Sequence, residues 1–408
     1  MDRMSRLRPL AAAILFAAFS GLAGMAHAQK GETVRPEVGK PLQAAQALVK
    51  QRKGREALAE VAKAEAVGSR TPYENFLIAQ MRGSAATAAG DSDTAIRSFE
   101  QVLGSGRVSG REATAMVQAV AVAYYQKKDY ASAAKWTQRY FREGGGDPAM
   151  RTVLLQSYYL GNDCGSVQKM LASVADADTS RRASEEELQI LANCFLRQRD
   201  NTGYVNAIEK LVVHYPKKEY WTDLLARVQK KSGFSDRLGV NVYRLRFATN
   251  NAGSASDYME MAQLAMQAGV PAEAKLIMDK GYQGGALGKG DQAERHERLR
   301  KLVEKTLEES QKTRAQDEQG AQAAKDGNAL VSIGLNYVYE GNAAKGLPLI
   351  DAGIKKGGLK RPEDAKLRYG EALLHAGRKD RAVQVLRGVR GTDGTADLAR
   401  LWVLHARA

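Results

Sequence analysis

A period of about three dozen residues runs through most of this 408-residue chain. At each step a small or apolar residue begins a short apolar stripe, and these anchors are Ala57, Ala95, Ala133, Val167, Tyr204, Leu238, Ala274, Gly346 and Ala382. Successive anchors are 38, 38, 34, 37, 34, 36, 72 and 36 residues apart, so one repeat inside the 72-residue gap has lost its pattern. A repeat of this length is typical of stacked helix pairs, in which each pair buries its apolar faces against its neighbours.

The unit around Ala95 shows most clearly what is repeated. Ala95, Phe99 and Val102 lie at positions i, i+4 and i+7, which places them on one face of a helix. Gly90 comes just before this helix, where a glycine is suited to end the preceding one. Gly83 lies twelve residues before Ala95, and its missing side chain allows two helices to approach closely. The sequence therefore predicts helix–turn–helix units.

This pattern resembles the tetratricopeptide repeat, a helix–turn–helix unit of about 34 residues. The resemblance implies an all-α fold, a right-handed α-solenoid of stacked tetratricopeptide-like repeats. Residues 326–330 and 357–364 are also similar to a group of exported tetratricopeptide proteins of Gram-negative bacteria, which implies a compartment and a fold but no catalytic residues. An irregular all-helical domain is the alternative, because a hydrophobic period alone does not exclude it.

The pattern divides the chain into five segments. We expect a signal peptide over 1–28, a flexible start over 29–40, an N-terminal array over 41–285, a charged degenerate repeat with a long helix over 286–328, and a C-terminal pair of repeats with a capping helix over 329–408. The segment 286–328 lacks aromatic residues, and its nine basic and nine acidic residues cancel. A capping helix is expected because an array must cover its last apolar face.

The first 28 residues have the three parts of a secretory signal. A basic start is followed by an apolar stretch over 10–19 and by Ala26-His27-Ala28, which fits the small-x-small cleavage rule. We expect cleavage before Gln29 and a periplasmic protein without a membrane span in its mature chain. An uncleaved membrane anchor is the alternative.

Cys164 and Cys194 are the only cysteines of the chain. An oxidising compartment favours a disulfide bond between them, and two separate buried thiols are the alternative. Two cysteines and scattered histidines do not supply the four ligands of a structural metal site, so no metal is expected.

We find no catalytic constellation and expect neither enzyme activity nor a cofactor. The histidines outside the signal segment are far apart and lack a nucleophile partner. The glycine-rich segment 284–290 fails as a phosphate loop, because Lys289 is followed by Gly290 where that motif requires serine or threonine. No nucleic-acid-binding signature is present, so nucleic acid is not an expected partner.

In a tetratricopeptide array the first helix of each unit lines a concave groove. The phase of the anchors predicts that this groove holds Gln118, Tyr125, Gln126, Gln156, Tyr159, Gln189, Asn193, Arg197, Arg227, Lys230, Lys231 and Gln263. Amides can pair with the backbone of an extended peptide, tyrosines supply rigid contact area, and the cations would form an end suited to carboxylates. An ordinary solvated groove is the alternative.

These observations favour an exported scaffold that binds a segment of an envelope protein. The net charge of +15 leaves an alternative open, the binding of an anionic envelope polymer such as lipopolysaccharide or polysaccharide through a basic surface. Solvated basic helix faces are also ordinary, because lysine and arginine are good helix formers.

Overall fold

The computed structural model describes residues 32–175 and 182–407, and the regular secondary structure of these residues is all helical. They form twenty α-helices and one short 3₁₀ helix, and none of them lies in a β-strand. The prediction of an all-α fold of successive helix pairs is therefore confirmed. The predicted signal peptide at 1–28 lies outside the described residues.

The chain folds as two compact units that divide between Arg182 and Ala183. The described part of the first unit consists of four helix pairs, and each helix packs on the next. These are α1 (Pro36–Lys50) with α2 (Gly54–Glu65), α3 (Pro72–Ala89) with α4 (Ser92–Gly104), α5 (Gly110–Gln126) with α6 (Tyr130–Arg142), and α7 (Pro148–Leu160) with α8 (Cys164–Ala175).

The second unit holds twelve α-helices in its described part, together with a 3₁₀ turn at Asp236–Leu238. The α-helices are α9 (Glu185–Arg197), α10 (Asn201–His214), α11 (Lys218–Gln229), α12 (Gly239–Ala248), α13 (Ala255–Gln267), α14 (Pro271–Gln283), α15 (Ala293–Ala323), α16 (Asn328–Tyr339), α17 (Ala343–Lys356), α18 (Pro362–His375), α19 (Lys379–Arg387) and α20 (Thr395–Arg407).

The turns inside the helix pairs have the predicted chemistry. Gly90 ends α3 in the left-handed conformation, with φ at 76°. Asp91, Asp129 and Asp200 then begin α4, α6 and α10, and each carboxylate accepts a hydrogen bond from the backbone N–H three residues later, at 3.1, 3.1 and 2.9 Å. These caps satisfy donors that the first turn of a helix leaves unpaired.

Glycine sets how closely paired helices approach. A Cβ atom placed on Gly83 would lie 2.7 Å from the ring of Phe99, so the predicted close approach of α3 and α4 at this glycine is confirmed. The approach is closer between α16 and α17, where a Cβ atom on Gly346 would lie 2.4 Å from the carbonyl oxygen of Gly334. A side chain at position 83 would have to displace the ring of Phe99, and one at position 346 would collide with the backbone of α16.

The start of the described chain differs from the predicted flexible segment at 29–40. Helix α1 begins at Pro36, and Val38 is completely buried. Proline is favoured at the first helical position because its φ is already helical and its missing N–H would have no partner there. Pro36 therefore begins a helix inside the segment that was predicted to be flexible. Residues 29–31 lie outside the described part of the chain.

The long helix predicted in 286–328 is present as α15, which has 31 residues. Its apolar stripe is buried at Leu299, Val303 and Leu307, whereas Leu302 is 54% exposed. Helix α15 packs on α14 and α16, so this segment lies inside the second unit and does not divide two arrays.

The last helix, α20, packs on α18 and α19. It also packs against α10 and α12, which come much earlier in the chain, at Asn201–His214 and Gly239–Ala248. The second unit is therefore closed on itself, in contrast to an array in which each repeat contacts only its neighbours.

Cys164 and Cys194 are both disulfide-bonded, which confirms the predicted pairing because the chain has no other cysteine. Within residues 32–175 and 182–407, no helix has the length and apolar character that crossing a membrane requires.

Candidate protein-binding surface on the first helices

Polar side chains bridge consecutive first helices of the first unit. Between α5 and α7, the side-chain amide of Gln118 donates to Asp147 Oδ2 at 2.9 Å, and the hydroxyl of Tyr125 donates to Gln156 Oε1 at 2.6 Å. Gln118, Tyr125 and Gln156 were predicted to share one face, and the structure brings them to the same α5–α7 junction.

Further polar bridges link α5 to both helices of the preceding pair, α3 and α4. The amide of Gln80 on α3 donates to Glu112 Oε1 at 2.5 Å, and Ser92 Oγ donates to Gln126 Oε1 at 3.3 Å. The first helices α3, α5 and α7 thus carry one continuous row of amides, carboxylates and tyrosines, which we call the first-helix face.

The side chains of this face differ in what they offer to a partner. Gln156 is almost completely buried, so it supports the hydroxyl of Tyr125 from below. The ring of Tyr125 is also held by an edge-on contact with Tyr130, with ring centroids 5.7 Å apart. Tyr125 and Tyr159 are half-buried, and Gln126 is exposed. A partner would therefore meet two tyrosines, of which at least Tyr125 is fixed before binding, and an accessible amide.

In the second unit, Gln189 and Asn193 lie on the first helix of a pair, α9. The amide of Gln189 donates to the hydroxyl of Tyr220 on α11 at 2.6 Å, and Asn193 donates to the backbone oxygen of Gln189 at 3.0 Å. Tyr220 in turn donates to Glu185, and burial together with this carboxylate raises the pKa of the tyrosine.

Tyr220 was not predicted as a groove residue, although the sequence contained a usable signal. It follows Gln189 by 31 residues, the same offset that separates Tyr125 from Gln156. Pairs of tyrosine and glutamine at this offset mark the junctions of consecutive first helices. Gln263, also predicted for the groove, lies half-buried on α13.

The predicted cationic end does not form as one open site. Arg227 binds Asp223 at 3.0 Å, and its guanidinium lies 4.0 Å from the ring centroid of Tyr204 on α10. Lys231 binds Asp397 of the last helix at 2.8 Å. Arg197 and Lys230 are exposed. Arg227 is therefore paired with an acidic residue of its own helix. Lys231 is paired with α20, because the C-terminal helix returns to this part of the second unit.

A second group of polar side chains, which the sequence did not reveal, lies in the interior of the second unit. Arg244 on α12 donates to Glu273 on α14 at 2.6 Å and to Glu371 on α18 at 2.9 Å. Glu371 also accepts from Asn241 at 2.9 Å and from the indole N–H of Trp402 on α20 at 2.9 Å. We call these five residues the buried ionic network.

The buried ionic network is closed to solvent. The side chains of Arg244, Glu273 and Glu371 are only 2 to 4% exposed. Burial raises the pKa of Glu371, although Arg244 and Asn241 act in the opposite direction. Burial likewise raises the pKa of the neighbouring Tyr339, with Glu273 as the next cause. Because the network joins four helices, α12, α14, α18 and α20, and has almost no exposed surface, we interpret it as structural.

A smaller ionic group lies at the same closure. Arg237 binds Asp364 through two hydrogen bonds of 2.9 and 2.8 Å and also contacts Asp393. Hydrogen bonds from Thr395 and Arg237 lower the pKa of Asp393 to about 2. Among the described residues, no cluster of three or more histidine, cysteine or acidic side chains is arranged to hold a metal ion.

Two segments of the chain, residues 81–148 and 331–397, match the tetratricopeptide repeat family. The first lies within α3 to α7 and the second within α16 to α20, so each unit contains one segment that matches this family. The resemblance inferred from the anchors is confirmed over these segments. Repeats of this kind commonly present extended surfaces that bind other proteins.

The chain is also similar to a solved structure, the crystal structure of yeast Tom70. The alignment covers 91% of this chain and 95% of that chain at 12% sequence identity, with a TM-score of 0.26. A similarity at this level carries no argument about function. The comparison with curated proteins gives no match.

Proposed function

We propose that this protein is an exported scaffold that binds a segment of an envelope protein on its first-helix face. The observation that carries the proposal is the row of bridged amides and tyrosines across α3, α5 and α7. Side chains held in place before binding lose little conformational entropy when a partner arrives, which favours recognition. Tyrosine is also among the residues that most often anchor protein interfaces.

The dimensions of this face suit an extended segment. Packed helices lie about 8–10 Å apart, so the three first helices span roughly 20 Å. A fully extended chain advances about 3.3 Å per residue and would cross this distance with roughly six residues. Amide side chains along the path can donate to and accept from the backbone of such a segment.

The proposal is tested by placing a photo-crosslinking amino acid at position 126 or position 159 of the full chain in living cells. The matched control position is Lys135, which is exposed on α6, the second helix of its pair. We expect protein adducts at the two first-helix positions and none of the same mass at position 135. Equal adducts at all three positions would show that the first-helix face is not the binding surface.

A second measurement uses a synthetic peptide from the crosslinked region of the partner. In fluorescence anisotropy, Tyr125→Ala and Tyr159→Ala are each expected to weaken its binding by about tenfold or more, the loss typical of an interface anchor. Lys135→Ala should leave the affinity unchanged. Unchanged affinity in both tyrosine variants would exclude an anchoring role for these rings.

The exported location rests on the signal-like pattern of residues 1–28 and is supported by the disulfide bond, since such bonds persist in oxidising compartments. Cell fractionation with mass determination of the purified chain tests it. We expect a periplasmic protein that begins at Gln29. A chain that keeps residues 1–28 and sediments with membranes would favour the uncleaved anchor.

A further inference from the structure

Positive charge is concentrated in α17, α18, α19 and the loops beside them. Residues 341–391 contain twelve lysine and arginine residues and five acidic residues, a difference of +7 in 51 residues. The whole chain has a net charge of +15. An eighth of the chain therefore carries nearly half of its net charge.

Burial removes two of the five acidic residues from this surface. Asp364 and Glu371 are buried and take part in the ionic groups around Arg237 and Arg244. The exposed excess of positive charge is accordingly larger than the count suggests.

One carboxylate lies between exposed cations of α17 and α19. Asp351 on α17 lies between Lys355 of the same helix, at 2.6 Å, and Arg381 of α19, at 3.8 Å. One carboxylate thus faces two cations from adjacent helices. Further exposed cations follow in the loop before α18 and along α19. We define the basic face by Lys355, Lys360, Arg361, Lys379, Arg381 and Arg387, all of which are exposed.

The basic face lacks the side chains that anchor folded proteins. The large apolar side chains that are exposed among the described residues, Leu160, Leu196 and Leu302, all lie elsewhere. Protein interfaces generally depend on buried aromatic or apolar anchors, and insertion into a membrane requires apolar side chains as well. A spread of cations without such anchors fits a flexible chain with an anionic group on each repeating unit, which can form many ion pairs at once.

We propose that the basic face binds an acidic polysaccharide, a polymer that carries carboxylate, phosphate or sulfate groups along its length. This surface shares no residue with the first-helix face, and the proposal goes beyond the proposed function. Each contact is an exposed ion pair, so affinity comes from their number and falls as salt screens them.

The test uses heparin as the acidic polysaccharide and the full mature chain, in fluorescence titrations at low and at physiological salt. The test variant carries Lys360→Gln, Arg361→Gln, Lys379→Gln and Arg387→Gln. The control variant carries Arg55→Gln, Arg97→Gln, Lys135→Gln and Arg142→Gln, four exposed cations of the first unit, and has the same net charge. Circular dichroism verifies that both variants are folded.

We expect the test variant to bind heparin about tenfold more weakly at low salt, and the control variant to bind like the wild type. Neutral dextran should not bind. An equal loss of heparin affinity in both variants would show that only the net charge of the protein matters, and that the basic face is not the binding site. If the wild-type protein does not bind heparin but sediments with phosphatidylglycerol vesicles, the ligand is a lipid surface and the proposal of an acidic polysaccharide is wrong. Peptide binding on the first-helix face tests the proposed function separately, because none of these substitutions lies on that face.

Discussion

Glu74 on α3 binds Arg35, which lies just before α1 near the start of the described chain. Its side chain is completely buried and accepts hydrogen bonds from the backbone N–H and from the guanidinium of Arg35, at 3.1 and 2.9 Å. It also closes a capping box with Thr71. The hydrogen bond from Arg35, with those from the backbone of Thr71 and Arg35, lowers the pKa of Glu74 to about 2.

This shift gives a pH-dependent prediction. The folded pKa lies below the unfolded value near 4.5, so the contribution to stability is complete above about pH 5 and is lost as pH falls towards 2. We expect Glu74→Gln to lower the free energy of unfolding by about 1–3 kcal/mol at neutral pH, less than for a fully buried pair because Arg35 is partly exposed. Urea unfolding at several pH values should show that the destabilisation caused by Glu74→Gln becomes smaller as the pH falls.

The control is Glu56→Gln, which replaces an exposed residue. A destabilisation by Glu74→Gln that does not change with pH would contradict the role of the charge.

Glu371 is the residue on which the closure of the second unit converges. It joins α18 to Asn241 and Arg244 of α12 and to Trp402 of α20. Replacing it by alanine would leave part of the Arg244 charge buried without a partner. We expect Glu371→Ala to lower the free energy of unfolding by about 3–5 kcal/mol.

The control for this residue is Glu363→Ala on the same helix, whose partner Lys366 is 37% exposed. Surface pairs contribute about 0–1 kcal/mol, so the two variants should separate clearly in urea denaturation. Similar midpoints for both would mean that Glu371 is not held in a dry interior.

At the scale of helices, glycine decides which pairs approach most closely. In the α16–α17 pair, a Cβ atom on Gly346 would collide with the backbone oxygen of Gly334, whereas one on Gly320 of α15 would meet open space. We expect Gly346→Ala to destabilise the protein by about 1–3 kcal/mol through overpacking. Gly320→Ala should stabilise it by about 0.4–1 kcal/mol, because alanine restricts the unfolded chain. Thermal or urea melts of the two variants test the opposite signs, and two changes of the same sign would refute the assigned crossing.

The helix pairs were predictable because their signals are local. Anchors such as Ala57, Ala133 and Leu238 follow a period of about three dozen residues, and the structure buries each of them completely. The caps and the turn glycine at 90 lie within a few residues of the helix ends they serve. Period and turn chemistry together were therefore sufficient for the elements and for most of the first-helix face.

The closure of the second unit could not be predicted in this way. Arg244 and Glu371 are separated by 127 residues, and Lys231 and Asp397 by 166. A charged residue on a helix looks the same in sequence whether it faces solvent or a distant carboxylate. The phase of the anchors therefore placed Lys231 in an open groove, although α20 engages it.

At the scale of the whole second unit, the contacts of α20 decide how unfolding spreads. In an open array, stability is approximately a sum of repeat and nearest-neighbour terms, so damage at the last helix stays near the end. Here Trp402 binds Glu371, and Arg400 contacts Glu209 of α10. The last helix is thus coupled to helices at the beginning of the same unit.

Hydrogen exchange can distinguish these two situations. Trp402→Ala removes a buried ring and a hydrogen bond, a change that costs about 3–5 kcal/mol in a packed core. We expect faster amide exchange in α18 and α19 and also in α10 and α12, which lie 154 or more residues before Trp402 in the sequence. The matched variant Trp136→Ala on α6 should accelerate exchange in the first unit and leave α10 and α12 protected. Retained protection of α10 and α12 in Trp402→Ala, with α18 and α19 exchanging rapidly, would mean that the second unit unfolds as an open array from its end.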